Sequence, residues 1–193
     1  EQRWKMILSG IGITIYISLL SAALGLLIGF GLCMLRKIKN TVLQAIISAF
    51  VRIMQGTPIV VLLMITYYVI FAKVNISSAL VAIVAFGLNF SAYVCEIMQS
   101  GIKSVDVGQT EAALALGYTK TQTFFRIVFP QAAIQFLPVL KAEFISLVKS
   151  TSIVGYVAIQ DLTKVTDIIR SRTYEAFFPL IVTAFIYFLI SNL

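Results

Sequence analysis

The chain has 193 residues, of which 60% are hydrophobic and only 12% are charged, and it contains no His. Because a soluble domain carries about 25% charged residues, this composition excludes a solvated surface over most of the chain. The net charge of +7 does not indicate a nucleic-acid partner, because the basic residues cluster beside apolar runs, as the orientation signals of membrane proteins do.

Long runs without charge predict the secondary structure. Residues 6–35, 53–72, 74–95 and 176–193 contain no charged side chain. A bilayer-spanning helix needs about 20 apolar residues, and a backbone in lipid must satisfy its own hydrogen bonds. We therefore predict an all-α membrane protein that forms one transmembrane domain, 1–193, trimmed at both ends from a longer chain. The five predicted spans cover 6–35, 43–72, 76–100, 132–159 and 176 to the end.

The first span carries small residues at helical spacing. One series contains Ser21, Gly25 and Gly29, and another begins at Gly10 and Thr14. Small residues let transmembrane helices approach closely. The ridge is therefore expected to pack within the subunit, with a dimer face as the less favoured alternative.

Prolines interrupt two of the predicted spans. Pro58 follows Gly56 in the second span, and Pro138 lies in the fourth. A proline removes a backbone donor, so each site is either a broken helix that faces a cavity or a kink that packing absorbs. The kink is the favoured interpretation.

Charge places the loops on the two sides of the membrane. Arg36, Lys37 and Lys39 follow the first span, and the positive-inside rule puts that loop in the cytoplasm. Counting spans then puts 101–131 inside and 160–175 outside.

The cytoplasmic stretch 101–131 is too polar to span and too patterned to be disordered. Thr110 is expected to cap a short helix over 111–116, and Gly117 suits the position after its end. Thr119 and Gln122 have the spacing of a capping box, which starts a second helix. That helix has an apolar side and is expected to stop at Pro130. Its apolar residues are Phe124, Phe125, Ile127 and Val128. A loop of this build is expected to dock on a partner.

The same loop carries a family signature. Glu111-Ala112-Ala113 is followed by Gly117 and then by an ending in which Ile127, Phe129 and Pro130 occupy an I-x-L-P pattern, with Phe in place of Leu. This resembles the EAA loop of ABC importer permeases. Other matches in family order resemble the polar amino-acid permeases of the histidine and glutamine type. They are Gln55-Gly56-Thr57-Pro58, 92–97, 101–105, 108–109, 130–132, 143–145 and 149–152.

Besides Phe129, the chain departs from the family pattern at four positions. Gln55 stands where the family has Arg, Ala142 where it usually has Asn, Ser150 where Asp is frequent, and Val139 in place of a second Pro. These departures bear on the substrate rather than on the family.

The resemblance implies a type I importer permease fold, with a translocation pathway for a polar amino acid across the bacterial plasma membrane. It implies that the EAA helices dock in a groove of a separate ATPase and couple its closure to the spans. The ATPase-coupling residues would be Glu111, Ala112, Ala113, Leu116, Gly117 and Phe124. The implied partners are a pair of ATP-binding subunits, a second permease chain that is identical or similar, and an extracellular or periplasmic amino-acid-binding protein.

The chain is not expected to be an enzyme. It contains no G-x-x-x-x-G-K-[ST] sequence, so it lacks the usual phosphate-binding loop. ATP and Mg are therefore expected on the partner ATPase, and no cofactor or metal is expected in this chain.

Polar residues inside the spans are candidates for the pathway, because such groups are costly in lipid. The candidates are Asn89, Glu96, Glu143, Thr151 and Ser152. A carboxylate among them would meet a substrate ammonium group. The alternative is interhelical pairing, and for Glu96 with Lys149 or Arg52 this alternative is slightly favoured.

Two other function classes compete with the importer. A channel or secondary transporter that works alone would be favoured by repeated halves with matching broken helices, and no such repeat is evident. A membrane-embedded enzyme lacks support because the chain has no His, the commonest general base and metal ligand.

Overall fold

A computed structural model describes residues 2–192 of the chain, and within this range every regular element is helical. The α-helices are α1 Gln2–Leu35, α2 Thr41–Gly56, α3 Ile59–Ile65, α4 Ser78–Lys103, α5 Val107–Ala115, α6 Lys120–Thr123, α7 Phe129–Ser150, α8 Leu162–Thr173 and α9 Phe177–Asn192. Two π-helical turns, Thr66–Ile70 and Phe124–Val128, and a 3₁₀ segment, Thr151–Val157, extend three of these helices. The all-α prediction is confirmed for the described residues.

Helices α1 and α4 form the centre of the fold, and small residues set their distance. A Cβ atom added to Gly29 would lie 2.6 Å from the Cβ of Val94 and 2.7 Å from the carbonyl oxygen of Ser91. No side chain fits in that space, so the two backbones pack at glycine distance. The ridge of small residues on α1 thus packs within the subunit, as predicted.

The second predicted span is broken rather than kinked. Helix α2 ends at Gly56, Thr57 is extended, and α3 begins at Ile59 with a change of direction of 108°. Pro58 has no N–H to donate to the preceding turn, so the α2 hydrogen-bond pattern ends there. The kink interpretation is therefore wrong at this site.

The prolines at positions 130 and 138 do not interrupt their helix. Residues Lys120–Val157 form one helix of 38 residues that contains both Pro130 and Pro138. The expected stop at Pro130 is wrong. The π turn before it lets Phe129 donate to Phe124, and the side-chain amide of Gln131 donates to the Ile127 carbonyl oxygen at 2.9 Å. These bonds keep the backbone helical around the missing donor.

The stretch 160–175, placed outside in our interpretation, contains a helix that the sequence did not reveal. Asp161 is fully buried and caps α8 by accepting bonds from the N–H groups of Thr163 and Lys164. The N–H of Leu162 donates to the hydroxyl of Thr14 in α1. Helix α8 is thereby fixed against the first half of α1.

Three helices are long and apolar enough to cross a membrane by themselves, namely those at 3–35, 78–103 and 120–157. The broken pair of α2 and α3 is a fourth candidate span. Helix α9 has 16 residues and is shorter than an ordinary span, so the fifth span stays a prediction. Many large apolar side chains on these helices are exposed, Leu27, Val69 and Ile134 among them. An exposed apolar surface of this extent suits lipid rather than water.

Candidate functional site

Helix α5, which carries the EAA residues, has well-defined ends. Asp106, not Thr110, is its N-cap, because the Asp106 carboxylate accepts a bond from the N–H of Gly108 at 2.6 Å. The helix therefore begins four residues earlier than predicted, and Thr110 lies within its second turn. At the other end Gly117 has a φ of +87°, a conformation that favours glycine.

The turn after α5 is a Schellman motif. The N–H of Tyr118 donates to the Ala113 carbonyl oxygen at 3.1 Å, and the N–H of Gly117 donates to the Leu114 carbonyl oxygen at 3.0 Å. This pair of bonds satisfies carbonyl groups that the helix end would otherwise leave unpaired. The predicted position of Gly117 just after the helix is confirmed.

The predicted capping box at α6 is also confirmed. The Thr119 side chain accepts from the N–H of Gln122, and the Gln122 side chain accepts from the N–H of Thr119. The loop that separates α5 and α6 is thus fixed at both ends by local bonds, and it holds α5 beside the start of the long helix.

The predicted coupling residues differ in exposure. Glu111, Ala112, Leu116 and Gly117 are exposed, and Leu116 has 79% of its surface accessible. Ala113 is buried against the chain itself. Phe124 is half-buried within a cluster that includes Phe125 and Phe129. Four of the six residues therefore present a surface, whereas Ala113 and Phe124 support it from below.

Two basic residues after α1 join this support. The Lys37 ammonium group lies 2.8 Å above the centre of the Phe124 ring, a cation–π contact. Partial burial lowers the pKa of Lys37, and the Cys33 thiol opposes that shift only weakly. The Arg36 guanidinium donates to Gln99 in α4 and to Ser48 in α2. The loop after α1 thus connects the EAA segment, residues 107–128, to the helices α1, α2 and α4.

A polar cleft of about 590 Å³ opens beside α4 and α7. Glu96, Gln99, Ser100 and Lys103 line it from α4 at helical spacing, and Gln135 lines it from α7. These side chains share one face of α4 because they follow the i, i+3, i+4, i+7 pattern. The sequence reasoning singled out Glu96 but missed the others, although their spacing carried the signal.

Glu96 has a neutral partner. The side-chain amide of Gln55 donates to a Glu96 carboxylate oxygen at 3.0 Å. Among residues 2–192, Arg170 and Asp167 form the one ion pair within 4.0 Å, so the considered pairing of Glu96 with Lys149 or Arg52 is not formed. The Glu96 carboxylate therefore has no cationic side chain within 4.0 Å among residues 2–192, and Lys103 lines the same cleft two turns further along α4.

Asn89 lies on α4 two turns before Glu96, and it contacts the end of α2 beside the helix break. Its side-chain amide donates to the Met54 carbonyl oxygen at 2.6 Å, near the end of α2. Sequence reasoning missed that the adjacent residues Met54 and Gln55 connect the two pathway candidates on α4, Asn89 and Glu96, to the break at Pro58. The broken span is thus tied to α4 by two hydrogen bonds.

The other pathway candidates lie apart from this cleft. Glu143 is half-buried on α7 and is not among the residues that line the cleft. Thr151 is fully buried and donates to the Val148 carbonyl oxygen of its own helix. Ser152 lines a different cleft of about 360 Å³ together with Thr163 and Lys164. Of the five candidates, only Glu96 lines the large cleft.

Comparison with known proteins decides the family. Residues 23–193 match the family described as the binding-protein-dependent transport system inner membrane component. The chain belongs to this family. The EAA segment, the polar cleft and the helix break are therefore features of a transport permease.

Similar proteins carry names of the same kind. The permease is 35% identical over 188 residues to a Rickettsia typhi chain named as a permease protein of a glutamine transport system, with 95% of this chain and 85% of the relative covered. It is 33% identical to the L-cystine transport system permease protein TcyB of Bacillus subtilis, with 97% and 81% covered.

Solved structures agree in fold. A chain in the crystal structure of an amino acid ABC transporter with histidines matches with a TM-score of 0.90 and 33% identity, and 99% of this permease and 90% of that chain are covered. A chain of the MetNI methionine ABC transporter in an inward facing conformation matches with a TM-score of 0.81 and 21% identity, with 100% and 94% covered. The type I ABC importer permease fold is thereby confirmed.

Proposed function

We propose that this chain is the permease subunit of an ATP-driven importer that carries a polar amino acid across the bacterial plasma membrane. The exposed end of α5 is the main support. Leu116 exposes a large apolar side chain beside the left-handed Gly117, and both lie in the segment that resembles the EAA docking loop of importer permeases. The docked partner would be a pair of ATP-binding subunits.

Energy coupling would pass through the contacts beneath α5. Ala113 is buried, Phe124 packs against its aromatic neighbours, and Lys37 lies over the Phe124 ring. A displacement of α5 would therefore move the long helix and the loop after α1 together. This is rigid-body coupling between a docking site and the spans.

The cleft at Glu96 is the proposed entry to the substrate pathway on this chain. The Glu96 carboxylate, which has no ion-pair partner within 4.0 Å among residues 2–192, would attract the ammonium group of an amino acid. The amides of Gln99 and Gln135 and the hydroxyl of Ser100 would hydrogen-bond the substrate's polar atoms. Asn89, Glu143 and Ser152 would act elsewhere along the passage, whereas Thr151 is fully buried in the described structure.

The remaining parts of the importer follow from the family. A second permease chain, identical or similar, would complete the passage, and a binding protein outside the membrane would deliver the amino acid. ATP and Mg would be bound by the ATP-binding subunits, because the 193 residues contain no phosphate-binding loop sequence of the usual type.

Reconstitution tests the proposal. The full-length permease is co-expressed with its ATP-binding subunit and purified into lipid, and ATP hydrolysis is measured with the binding protein present while amino acids are scanned. Stimulation by one polar amino acid is expected. Solute flux that persists without any ATPase would instead show a channel or secondary transporter.

A pair of variants tests the docking surface. Leu116→Asp is expected to abolish copurification of the ATP-binding subunit, because it puts a charge at the centre of the apolar contact. Ile38→Asp is the matched control, since Ile38 is 51% exposed but lies in the neighbouring loop. Equal copurification with both variants would contradict docking through α5.

A further inference from the structure

A second cleft, of about 500 Å³, lies at the side of the EAA segment. It is enclosed by the loop after α1, the end of α4, helix α5 and the helix that begins at Lys120. Lysines from three segments and several apolar side chains line it. Of these lysines, Lys37 also contacts Phe124 in the proposed coupling route, and Lys103 also lines the Glu96 cleft.

The cleft gathers positive charge without an acid to balance it. Lys37, Lys103 and Lys120 come from three separate segments, and the lining contains no Asp or Glu. Within residues 2–192 none of the three lysines has a carboxylate oxygen within 4.0 Å, since the ion pair found there joins Arg170 and Asp167. Three ammonium groups around one space repel each other unless an anion lies between them.

A buried hydroxyl group gives an independent indication. Thr123 is only 2% exposed, and its hydroxyl oxygen has no hydrogen-bond partner in the described structure. Buried polar groups in proteins are almost always paired, so an unpaired one calls for an explanation such as an unseen ligand. Thr123 lines this same cleft, and a phosphate oxygen is a suitable acceptor for its proton.

The walls favour a particular source of the anion. Ile102, Val105, Leu114 and Val128 line the cleft beside the three lysines. A free inorganic anion gains nothing from apolar walls, whereas a lipid presents a phosphate next to apolar glycerol and acyl carbons. Clusters of basic residues at the cytoplasmic end of a span are a known mode of anionic-lipid recognition.

We propose that this cleft binds the phosphate of an anionic membrane lipid, which Lys37, Lys103, Lys120 and Thr123 hold against the side of the EAA segment. Bound lipid would connect the loop after α1 to both cytoplasmic helices.

Native mass spectrometry tests the site directly. The full-length permease, purified with its co-expressed ATP-binding subunit, is placed in nanodiscs of phosphatidylcholine with or without phosphatidylglycerol, and lipid retained on the ejected protein is counted. Retention of phosphatidylglycerol by the wild type is expected. Changing the three lysines to Gln together should weaken it by about fivefold for each lysine, on the order of a hundredfold in all.

Two further variants separate the site from general charge. Lys5, Lys39 and Lys73 changed to Gln remove the same net charge outside the cleft, and this control should retain the lipid. Thr123→Val keeps the shape and removes the hydroxyl, and it should weaken retention by about fivefold, as the loss of one hydrogen bond does. Retention equal to the wild type in both Thr123→Val and the cleft triple variant would overturn the proposal.

A phosphate arm identifies the source of the anion. Inorganic phosphate is added to the phosphatidylcholine discs, and bound phosphate is counted in the same spectra. No specific phosphate adduct is expected. An adduct that is lost in the cleft triple variant, with no preference for phosphatidylglycerol, would overturn the lipid assignment and show a site for a soluble phosphate. Because the spectra report bound mass rather than ATP hydrolysis, failure here is distinct from failure of the importer proposal.

Discussion

The hydroxyl of Thr14, on the first transmembrane helix, accepts a hydrogen bond from the backbone N–H of Leu162 at 3.3 Å, across 148 positions of sequence. Both residues are fully buried. The bond satisfies a first-turn N–H of α8 that the Asp161 cap leaves free, because the cap receives the N–H groups of Thr163 and Lys164. Helix α8 thus takes part of its N-terminal capping from another helix.

Replacing that hydroxyl should destabilise the fold. Thr14→Val keeps the side-chain shape but leaves the Leu162 N–H buried without an acceptor, which costs about 1–3 kcal/mol. Thermal unfolding of the purified chain in detergent should show a lower transition temperature. Thr41→Val, at an exposed position at the start of α2, is the control, and equal transition temperatures for the two variants would contradict the role of the bond.

The packing of α1 on α4 depends on the missing side chain at Gly29. Gly29→Ala would place a methyl group 2.6 Å from the Cβ of Val94, so the helices must separate, at a cost of about 1–3 kcal/mol. Gly31→Ala is the matched control two residues away, because nothing lies within 4 Å of its added Cβ. Detergent melting should show a loss for Gly29→Ala only, and a loss of the same size at Gly31 would show that helix position rather than packing decides.

Backbone conformation should determine what residue 117 tolerates. The position has a φ of +87° and open space around an added Cβ, so the cost of Gly117→Ala is strain of about 1 kcal/mol or more. Gly117→Asn should cost less, because Asn enters the left-handed region more readily. ATP hydrolysis stimulated by the binding protein should fall in the order Gly, Asn, Ala. The reverse order of the two variants would show that side-chain contacts with the partner decide instead.

The charge of Glu96 should govern substrate affinity. Gln55→Arg replaces the amide that bonds Glu96 at 3.0 Å with a guanidinium, which forms an ion pair with that carboxylate and cancels its field. Uptake into proteoliposomes should show a KM raised about tenfold, which corresponds to a loss of about 1.4 kcal/mol in the free energy of substrate binding. Gln55→Leu removes the hydrogen bond but leaves the charge, so its KM should stay closer to that of the wild type. Identical KM values for both variants would exclude a role for the carboxylate charge.

Local sequence rules predicted the cytoplasmic segment well. Gly117 and the pair Thr119 and Gln122 act through bonds to neighbours three to five residues away, so their spacing alone carries the information. We predicted Thr110 as the N-cap because it directly precedes Glu111. In the structure the N-cap is Asp106, which has the non-helical backbone that a cap requires. Thr110 therefore lies inside the helix that Asp106 begins.

Long-range features were not visible in the sequence. The 108° change of direction at Pro58 is accompanied by two hydrogen bonds between α2 and α4, from Asn89 to Met54 and from Gln55 to Glu96, which join positions 35 and 41 residues apart. The sequence of α8 is polar, so we predicted an outer loop there. Its helical form depends on hydrogen bonds to the buried side chains of Thr14 and Asp161. We expected a cation as the partner of Glu96, whereas the structure shows the neutral side-chain amide of Gln55.

The unbroken helix from Lys120 to Val157 has a mechanical consequence. Its 38 residues correspond to about 57 Å at 1.5 Å per residue, nearly twice the hydrocarbon thickness of about 30 Å. A displacement of its Lys120 end would therefore be transmitted along one continuous helix to the opposite side of the bilayer rather than through a loop. The π turn at Phe124–Val128 is underwound relative to an α-helix, and it joins α6 to the rest of this long helix.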